Sequence, residues 1–179
     1  RQVNFIGLDE NSQAIYDQSI PKPTLTFKGT CKLHGTNSGV SYNEIDGIWY
    51  QSRENIITPQ KDNAGFAFFS ESNKEAFIDL FNKVKEKENI DLTKNTISIF
   101  GEWCGSGIQK GVAISQIPKS MFIFGVKIAP FEIEGLEKQN PSYWVDSSYL
   151  KCIEKRIYNV NDFETYNIDI DFNVPQLSQ

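Results

Sequence analysis

The 179-residue chain has few of the features that mark membrane, secreted or zinc-binding proteins. It lacks a run of about 18 apolar residues, so we expect no membrane-spanning segment, and it shows no secretory leader pattern. Its three cysteines, Cys31, Cys104 and Cys152, are odd in number and widely separated. This fits neither a disulfide framework nor a zinc-binding spacing, so we expect a cytoplasmic protein in a reducing setting.

The chain is also short of positive charge. Lysines and arginines number 18 against 23 aspartates and glutamates, which gives a net charge of −5. Taken alone, this balance disfavours a nucleic-acid partner, because Lys and Arg contacts to phosphate supply most of such affinity. Net charge does not exclude a local basic patch. The chain begins at Arg1 without an initiator Met and ends without a clear stop signal, so we expect a piece of a longer protein.

The hydrophobic pattern predicts one α+β domain. Apolar and polar residues alternate over 24–31, as in a half-buried strand, and Asn43 to Gly47 predicts a hairpin turn between two strands. Apolar residues at helical spacing follow, with Ser70 or Ser72 as the N-cap. The predicted strands cover residues 24–31, 39–43, 48–52, 95–103 and 121–128, and the predicted helix covers residues 71–88. This order predicts antiparallel β-sheets flanked by helices.

Residues 32–37 (KLHGTN) place a lysine where a strand runs into a glycine-containing loop. A turn at that place can present backbone amides to a phosphate. Lys32 can act as a nucleophile only when its amine is neutral, and because the free pKa is about 10.4, desolvation or nearby positive charge must lower that pKa. By itself Lys32 also fits an ordinary surface lysine. His34, the only histidine, is by itself more often structural than catalytic.

Residues 32–37 closely resemble motif I of the covalent nucleotidyltransferases (K-x-H/D-G), in the His-Gly-Thr-Asn form of the nick-sealing RNA ligases known from phages and trypanosome RNA editing. Three further segments resemble family motifs in the family's order. Arg53 falls at motif Ia on a neighbouring strand, residues 101–110 (GEWCGSGIQK) resemble motif III, and residues 122–124 (FIF) resemble motif IIIa. Four ordered segments over about residues 24–128 are more specific than a single motif.

The resemblance implies an ATP-dependent RNA ligase with the fold of a nucleotidyltransferase adenylation domain, an ATP-grasp-like ligase catalytic domain. Lys32 would attack the α-phosphate of ATP and carry AMP as a lysyl-adenylate. AMP would then pass to an RNA 5′-phosphate, and a 3′-hydroxyl would displace it to seal the strand in RNA repair. The implied cofactors are ATP and Mg²⁺ (or Mn²⁺), and the implied partner is RNA with 5′-phosphate and 3′-hydroxyl ends.

The resemblance also implies roles for individual residues. The catalytic set is Lys32 and His34, and the nucleotide-binding set is Lys32, Leu33, Asn37, Arg53, Glu102 and Phe124. Arg53 can offer a planar fork of donors to phosphate, Glu102 would accept from the ribose hydroxyls, and Phe124 would stack on adenine. Phe122 points to the same face of its strand, but Phe124 fits the family spacing better. His34 and Asn37 would act in AMP transfer and sealing.

The chain also departs from the family pattern. Cys31 stands where the family often has Glu, and Gly125 stands where it often has Asp. Motif IV (Glu-Gly on a strand) and motif V (Lys-x-Lys) are not found, because residues 134–137 (EGLE) come too soon and residues 83–85 (KVK) lie on the predicted helix. We therefore expect a partial adenylation domain that contains no metal ligands and is inactive alone.

Two alternatives stay open. A DNA ligase or mRNA-capping enzyme of the same superfamily would share the lysine chemistry, although the family members of those kinds typically have Asp-Gly where this chain has His34-Gly35. A catalytically degenerate nucleic-acid-binding module would share the fold without the reaction. We expect a monomer, and the sequence does not choose between nicked duplex RNA, a broken tRNA and an RNA–DNA hybrid as substrate.

Overall fold

The structure, a computed structural model, describes residues 5–17, 19, 21, 23–131 and 141–171. The chain divides into two compact units, one of residues 1–29 and 165–179 and the other of residues 30–164. The strands are β1 (Phe5–Leu8), β2 (Ala14–Tyr16), β3 (Thr24–Thr30), β4 (Thr36–Asn43), β5 (Gly47–Gln51), β6 (Ile56–Ile57), β7 (Asn95–Cys104), β8 (Ser120–Pro130), β9 (Tyr143–Val145), β10 (Ile157–Asn159) and β11 (Thr165–Asp171). The α-helices are α1 (Phe66–Ser72) and α2 (Lys74–Glu88).

The larger unit is built on a seven-stranded sheet with the order β10-β8-β7-β4-β5-β6, in which β9 also pairs with β8. Its central pairs, β4 with β7 and β7 with β8, are antiparallel. The class is therefore α+β with antiparallel sheets, as the sequence predicts. One pair departs from this pattern, since β10 runs parallel to β8.

The core lies on one face of this sheet, beneath the helices. Alternate residues of β7 and β8, including Ile97, Ile99 and Ile123, are buried against the apolar side of α2. On α2 the buried residues are Ala76, Phe77, Leu80, Phe81 and Val84. Each large apolar side chain buried in this way contributes roughly 1.5–3 kcal/mol, so this face holds the sheet and helices together.

The start of the helical segment differs from the prediction. Helix α1 begins at Phe66, before the expected start, and Asn73 separates it from α2, so neither Ser70 nor Ser72 is an N-cap. Packing explains the extra turn, because the Phe66 and Phe69 rings lie 5.5 and 4.6 Å from the Trp103 ring. The carboxylate of Asp62 accepts hydrogen bonds from the N–H groups of Ala67 and Phe68.

The register between β7 and β8 shifts once. Phe100 pairs with Gly125, whereas the next residue, Gly101, pairs with Ile123, so Phe124 has no partner across the ladder. Two residues of β8 thus oppose one of β7, which is the arrangement of a β-bulge. The bulge lies in the strand that carries the predicted adenine-stacking residue.

The smaller unit contains two two-stranded sheets, the antiparallel pair β1–β2 and the pair β3–β11. Thr26 and Asp169 link the second pair through a side-chain hydrogen bond of 2.6 Å. Neither α-helix of the described residues can span a bilayer, since the longer has 15 residues. Residues 134–137, rejected above as motif IV, lie outside the described residues.

Candidate active site

Lys32 lies on the irregular segment 31–35, called here the lysine loop, which joins β3 to β4, and its side chain is exposed. A cavity of about 210 Å³, called here the Lys32 cavity, opens beside it. The lining residues are Thr30, Cys31, Lys32, Leu33, Glu102, Phe124 and Val160. The fold thus brings four of the predicted site residues together: the lysine, its neighbour Leu33, the motif III carboxylate and the motif IIIa aromatic.

Glu102 is tied to the lysine loop by a direct contact. Its Oε1 atom accepts a hydrogen bond from the N–H of Gly35 at 2.8 Å, and the Gly35 carbonyl accepts one from Nε2 of Gln109 at 2.9 Å. The backbone of Gly35 is therefore held on both sides by motif III. A Cβ atom at Gly35 would lie 2.3 Å from the Trp103 carbonyl oxygen, so only glycine fits this approach.

Phe124 is the open aromatic surface of the Lys32 cavity. Its side chain is 42% exposed although its neighbours Ile123 and Gly125 are buried. Phe124 is therefore not a core residue. Phe122, in contrast, is 3% exposed and its ring lies 5.2 Å from that of Tyr158, so Phe122 serves packing.

The Lys32 cavity carries one positive and one negative side chain, Lys32 and Glu102. Cys104 lies buried at the end of β7, two residues after Glu102. Burial raises the pKa of Cys104 to about 12, and the charge of Glu102 adds to the effect. Cys104 is therefore a neutral thiol at physiological pH. Its side chain packs at the end of β7, and Glu102 is the residue of this strand that lines the Lys32 cavity.

Arg53 lies in a different cavity from Lys32. It sits two residues past the end of β5, in the turn before β6, and not on a strand as predicted. This Arg53 cavity has a volume of about 490 Å³. It is lined by Thr36, Ser52, Arg53, Glu54, Asn55, Ile57, Lys61, Asp62 and Asn63. Thr36 belongs to the same hexapeptide as Lys32, and its hydroxyl accepts a hydrogen bond from Asn63 at 3.0 Å.

The remaining predicted residues take separate places. Asn37 lies on β4, half-buried, directly across the ladder from Glu102. His34 is exposed on the lysine loop, and neither side chain is among the described residues that line the Lys32 cavity. His34 and Asn37 are therefore close in sequence to residues of the Lys32 cavity, but their side chains do not line it.

The departure at Gly125 has a steric explanation. A Cβ atom at this position would lie 2.9 Å from the ring of Trp144, which covers Gly125 and packs 5.6 Å from the ring of Phe100. An Asp at Gly125 would collide with that ring. The indole of Trp144 thus occupies the space that a side chain at this position would need.

A third cavity is not predicted from the sequence. This apolar cavity, of about 640 Å³, shares Cys31 and Leu33 with the Lys32 cavity. Its other lining residues are Ile114, Ile117, Pro118, Ser120, Phe122, Arg156, Tyr158, Phe163 and Glu164. These residues come from segments far apart in the chain, and none carries a local pattern that marks it as site-forming. For the hydrogen bond from Gln109 to the Gly35 carbonyl, the sequence offers one indication, since Gln109 lies within the motif III segment.

The described residues do not build a metal site. Within them, no group of three or more His, Cys, Asp or Glu side chains is placed to hold an ion. Glu102 is the acidic residue of the Lys32 cavity, and one of its oxygens is already occupied by the Gly35 N–H.

An α+β domain in which a lysine, a carboxylate and an exposed aromatic residue line one cavity is consistent with a nucleotidyltransferase-type domain. The chain belongs to the RNA ligase family, whose model matches residues 26–167. The matched region covers the lysine loop, Arg53, Glu102 and Phe124. No curated protein matches the chain significantly.

Proposed function

We propose that Lys32 is the residue that becomes adenylylated in an ATP-dependent RNA ligase reaction. The observation that carries the proposal is the shared cavity: Lys32, Glu102 and Phe124 line one space. An amine, a hydrogen-bond acceptor and an aromatic face are the three groups that a covalent adenylate needs for bonding, ribose binding and base stacking. Membership of the RNA ligase family supports the same reaction class.

In the proposed first step, the neutral amine of Lys32 attacks the α-phosphorus of ATP. A nitrogen–phosphorus bond forms, the bond from the α-phosphorus to the bridging oxygen breaks, and pyrophosphate leaves with the electron pair. The amine gives up its proton as the bond forms. The exposed position of Lys32 gives the triphosphate access, and the Phe124 ring offers the adenine a stacking surface worth about 1–3 kcal/mol.

In the second and third steps the nucleotide moves to RNA and is released. An oxygen of the RNA 5′-phosphate attacks the adenylate phosphorus, the nitrogen–phosphorus bond breaks, and the Lys32 amine recovers a proton. An RNA 3′-hydroxyl then attacks the activated 5′-phosphate, and AMP leaves. We assign phosphate contacts in these steps to Arg53, whose guanidinium is a fork of donors, and positioning in AMP transfer and sealing to His34 and Asn37.

We propose that Mg²⁺ accompanies the triphosphate, with phosphate oxygens among its ligands, as is usual for this ion. The described residues supply no cluster for it. Its expected contribution is to neutralise the charge on the phosphates.

Labelling with ATP that carries radioactive α-phosphate tests the proposal on the full-length protein. Wild-type protein and the Lys74→Ala variant should retain label on a denaturing gel, because Lys74 lies exposed on α2. Lys32→Ala and Lys32→Arg should not, and the second is the sharper variant because arginine keeps the charge but cannot be deprotonated. Label that persists in both Lys32 variants would show that Lys32 is not the adenylylated residue.

Substrate choice separates the related reactions. Joining of a 5′-phosphorylated RNA to a 3′-hydroxyl RNA, without joining of the matching DNA strands, is the expected result. Labelling by GTP in place of ATP would indicate capping chemistry instead. Because motifs IV and V are not found, residues 1–179 tested in parallel are predicted to label poorly.

A further inference from the structure

A fourth concave surface in the larger unit has the chemistry of a nucleic-acid contact. This Phe68 groove, of about 300 Å³, is lined by Phe68, Phe69, Trp103, Lys119 and Arg156, with small and polar residues between them. We propose that the Phe68 groove binds the phosphodiester backbone and a base of the RNA strand. The inference rests on the proposed function, since it names a further contact for the same RNA partner.

The lining of the Phe68 groove is positively charged. The lining of the Phe68 groove contains two cationic residues, Lys119 and Arg156, and no Asp or Glu among its described residues. The Arg53 cavity instead holds two cations with two carboxylates, and the Lys32 cavity holds one of each. The Phe68 groove therefore has a local positive charge in a chain whose net charge is −5. A polyanion is the partner that complements such a surface.

The two cations are also available to a ligand. Neither forms an ion pair with a described residue. The Lys119 ammonium donates one hydrogen bond, to the Ala64 carbonyl at 2.8 Å, which leaves two of its three donors for phosphate. The exposed guanidinium of Arg156 lies 6.0 Å from the Phe69 ring centre, so the ring supports its position without neutralising its charge.

An exposed aromatic completes the site. The side chain of Phe68 is 66% exposed, although the adjacent Phe69 is buried against Trp103. Aromatic side chains beside a basic groove bind unpaired bases by stacking. The groove can therefore bind both parts of a nucleotide, the base by stacking on Phe68 and the phosphate through Lys119 and Arg156.

Hydrogen bonds brace one wall of the groove, and shared lining residues link the groove to the cavities near Lys32. The Ala64 carbonyl accepts from both Nζ of Lys119 and Nε1 of Trp103, at 2.8 and 3.1 Å, which fixes the wall of the groove. Arg156 also lines the apolar cavity, which in turn shares Cys31 and Leu33 with the Lys32 cavity. Arg156 thus belongs both to the Phe68 groove and to the cavity that adjoins the Lys32 cavity, so a strand bound there would lie on the side of the apolar cavity.

The test measures the binding of a short fluorescein-labelled RNA to the full-length protein by anisotropy, over a range of salt concentrations. In the Lys119→Gln/Arg156→Gln variant the affinity should fall about tenfold or more. The slope of log affinity against log salt should decrease by about 1.4, or about 0.7 for each phosphate contact removed. Phe68→Ala should weaken binding about fivefold or more with an unchanged slope.

Two control variants isolate the groove. Lys85→Gln/Lys94→Gln removes the same net charge from lysines that pair with Glu44 and Asp91, and should keep the wild-type slope. Lys119→Arg/Arg156→Lys keeps both charges and should also keep the slope, which would separate charge loss from misfolding. Thermal melts confirm that each variant is folded.

The outcomes distinguish this inference from the proposed function. The groove proposal would be overturned if RNA affinity and slope stay unchanged in the Lys119→Gln/Arg156→Gln variant. It would also be overturned if they fall equally in the Lys85→Gln/Lys94→Gln variant. Polyglutamate is titrated in parallel with RNA. If the Lys119→Gln/Arg156→Gln variant loses polyglutamate binding while RNA binding stays intact, the groove would be assigned to an acidic protein and the proposal would be overturned equally. Absence of AMP label on the wild-type protein would instead overturn the ligase reaction, whatever the RNA-binding result.

Discussion

The carboxylate of Glu102 and the backbone N–H of Gly35 form a hydrogen bond of 2.8 Å between residues 67 positions apart in the sequence. The bond joins the end of the lysine loop to the strand that carries the motif III carboxylate. Because Gln109 holds the other side of Gly35, the approach of Lys32 to its cavity depends on motif III for its geometry. Glu102 is thus a structural clamp as well as the proposed ribose acceptor.

Substitutions of Glu102 should separate these two roles. Glu102→Gln keeps an oxygen acceptor for Gly35 and should change the free energy of unfolding by less than about 1 kcal/mol, whereas Glu102→Ala leaves the N–H without its partner and should cost about 1–3 kcal/mol. Urea unfolding measures both values. If Glu102→Gln retains its stability but loses AMP labelling, the carboxylate acts on the nucleotide; equal destabilisation by both variants would contradict the clamp.

Gly35→Ala should be among the most destabilising single changes in the larger unit. The new Cβ would lie 2.3 Å from the Trp103 carbonyl oxygen and 2.6 Å from Cβ of Cys104, and overpacking against backbone costs about 1–3 kcal/mol or more. Gly7→Ala is the matched control, because nothing lies within 4 Å of its added Cβ. Thermal melting of the two variants checks the prediction, and equal melting temperatures would show that the loop moves freely.

Phe124 and Phe122 should give opposite results on substitution by Ala. Phe124 is 42% exposed and Phe122 is 3% exposed. Phe122→Ala should therefore cost about 3–5 kcal/mol of folding free energy. Phe124→Ala should change stability little and raise the Kd for ATP about five- to a hundredfold through the lost stacking. Chemical unfolding and ATP titration measure the two effects, and a stability loss without an ATP effect in Phe124→Ala would favour a packing role.

The cysteines should differ in reactivity in the native protein. All three are free thiols, with Cys31 exposed and Cys104 buried. Because burial raises the pKa of Cys104 to about 12, this thiol should stay unmodified by N-ethylmaleimide until unfolding, as the thiolate is the reactive form. Mass spectrometry of peptides identifies the modified sites.

Cys31 offers a further test of the Lys32 cavity, which it lines. A maleimide adduct on Cys31 should block AMP labelling, and ATP should slow the modification. The Cys31→Ser variant should label normally and resist the reagent. Full labelling of the modified wild-type protein would place the nucleotide elsewhere.

Acid should remove a specific stabilising contact at Asp146. Hydrogen bonds from the Lys87 ammonium and then from Ser148 lower the pKa of Asp146 from 3.8 to about 2. A depressed folded-state pKa stabilises the protein fully above the unfolded value and loses this effect as pH falls from about 4 to 2. Since the pair is half exposed, Asp146→Asn should cost only about 0.2–1 kcal/mol at pH 7. The cost should be much smaller at pH 2, where the folded carboxyl is about half protonated. Urea unfolding at both pH values measures it; a loss that grows in acid would contradict the sign.

Local signals predict much of the sheet. The Asn43–Gly47 turn is present, with those two residues paired at the end of the β4–β5 hairpin, and the β-branched run near residue 97 forms β7. Strand β4 begins at Thr36, three residues before its predicted start, because its first residues gain ladder partners on β7. That gain depends on a strand far along the chain, which a local pattern does not reveal.

The parts that sequence reasoning missed all depend on distant contacts. The parallel pairing of the three-residue β10 with β8 has no periodicity of its own, and helix α1 is supported by Trp103. The motif residues could be named because their spacing is local. Which of them share a cavity could not be predicted, and the structure puts Lys32 and Arg53 in separate cavities.

The bulge at Phe124 separates what β8 does for the core from what it does for the site. Core residues on β8 alternate through Met121 and Ile123, then skip to Val126 and Ile128. Deleting Phe124 would restore strict alternation, with every core side chain still facing inward. In an unbulged strand a one-residue deletion would turn all later side chains to the opposite face. The cavity wall can therefore change its aromatic residue, or lose it, without a compensating change in the packed interior.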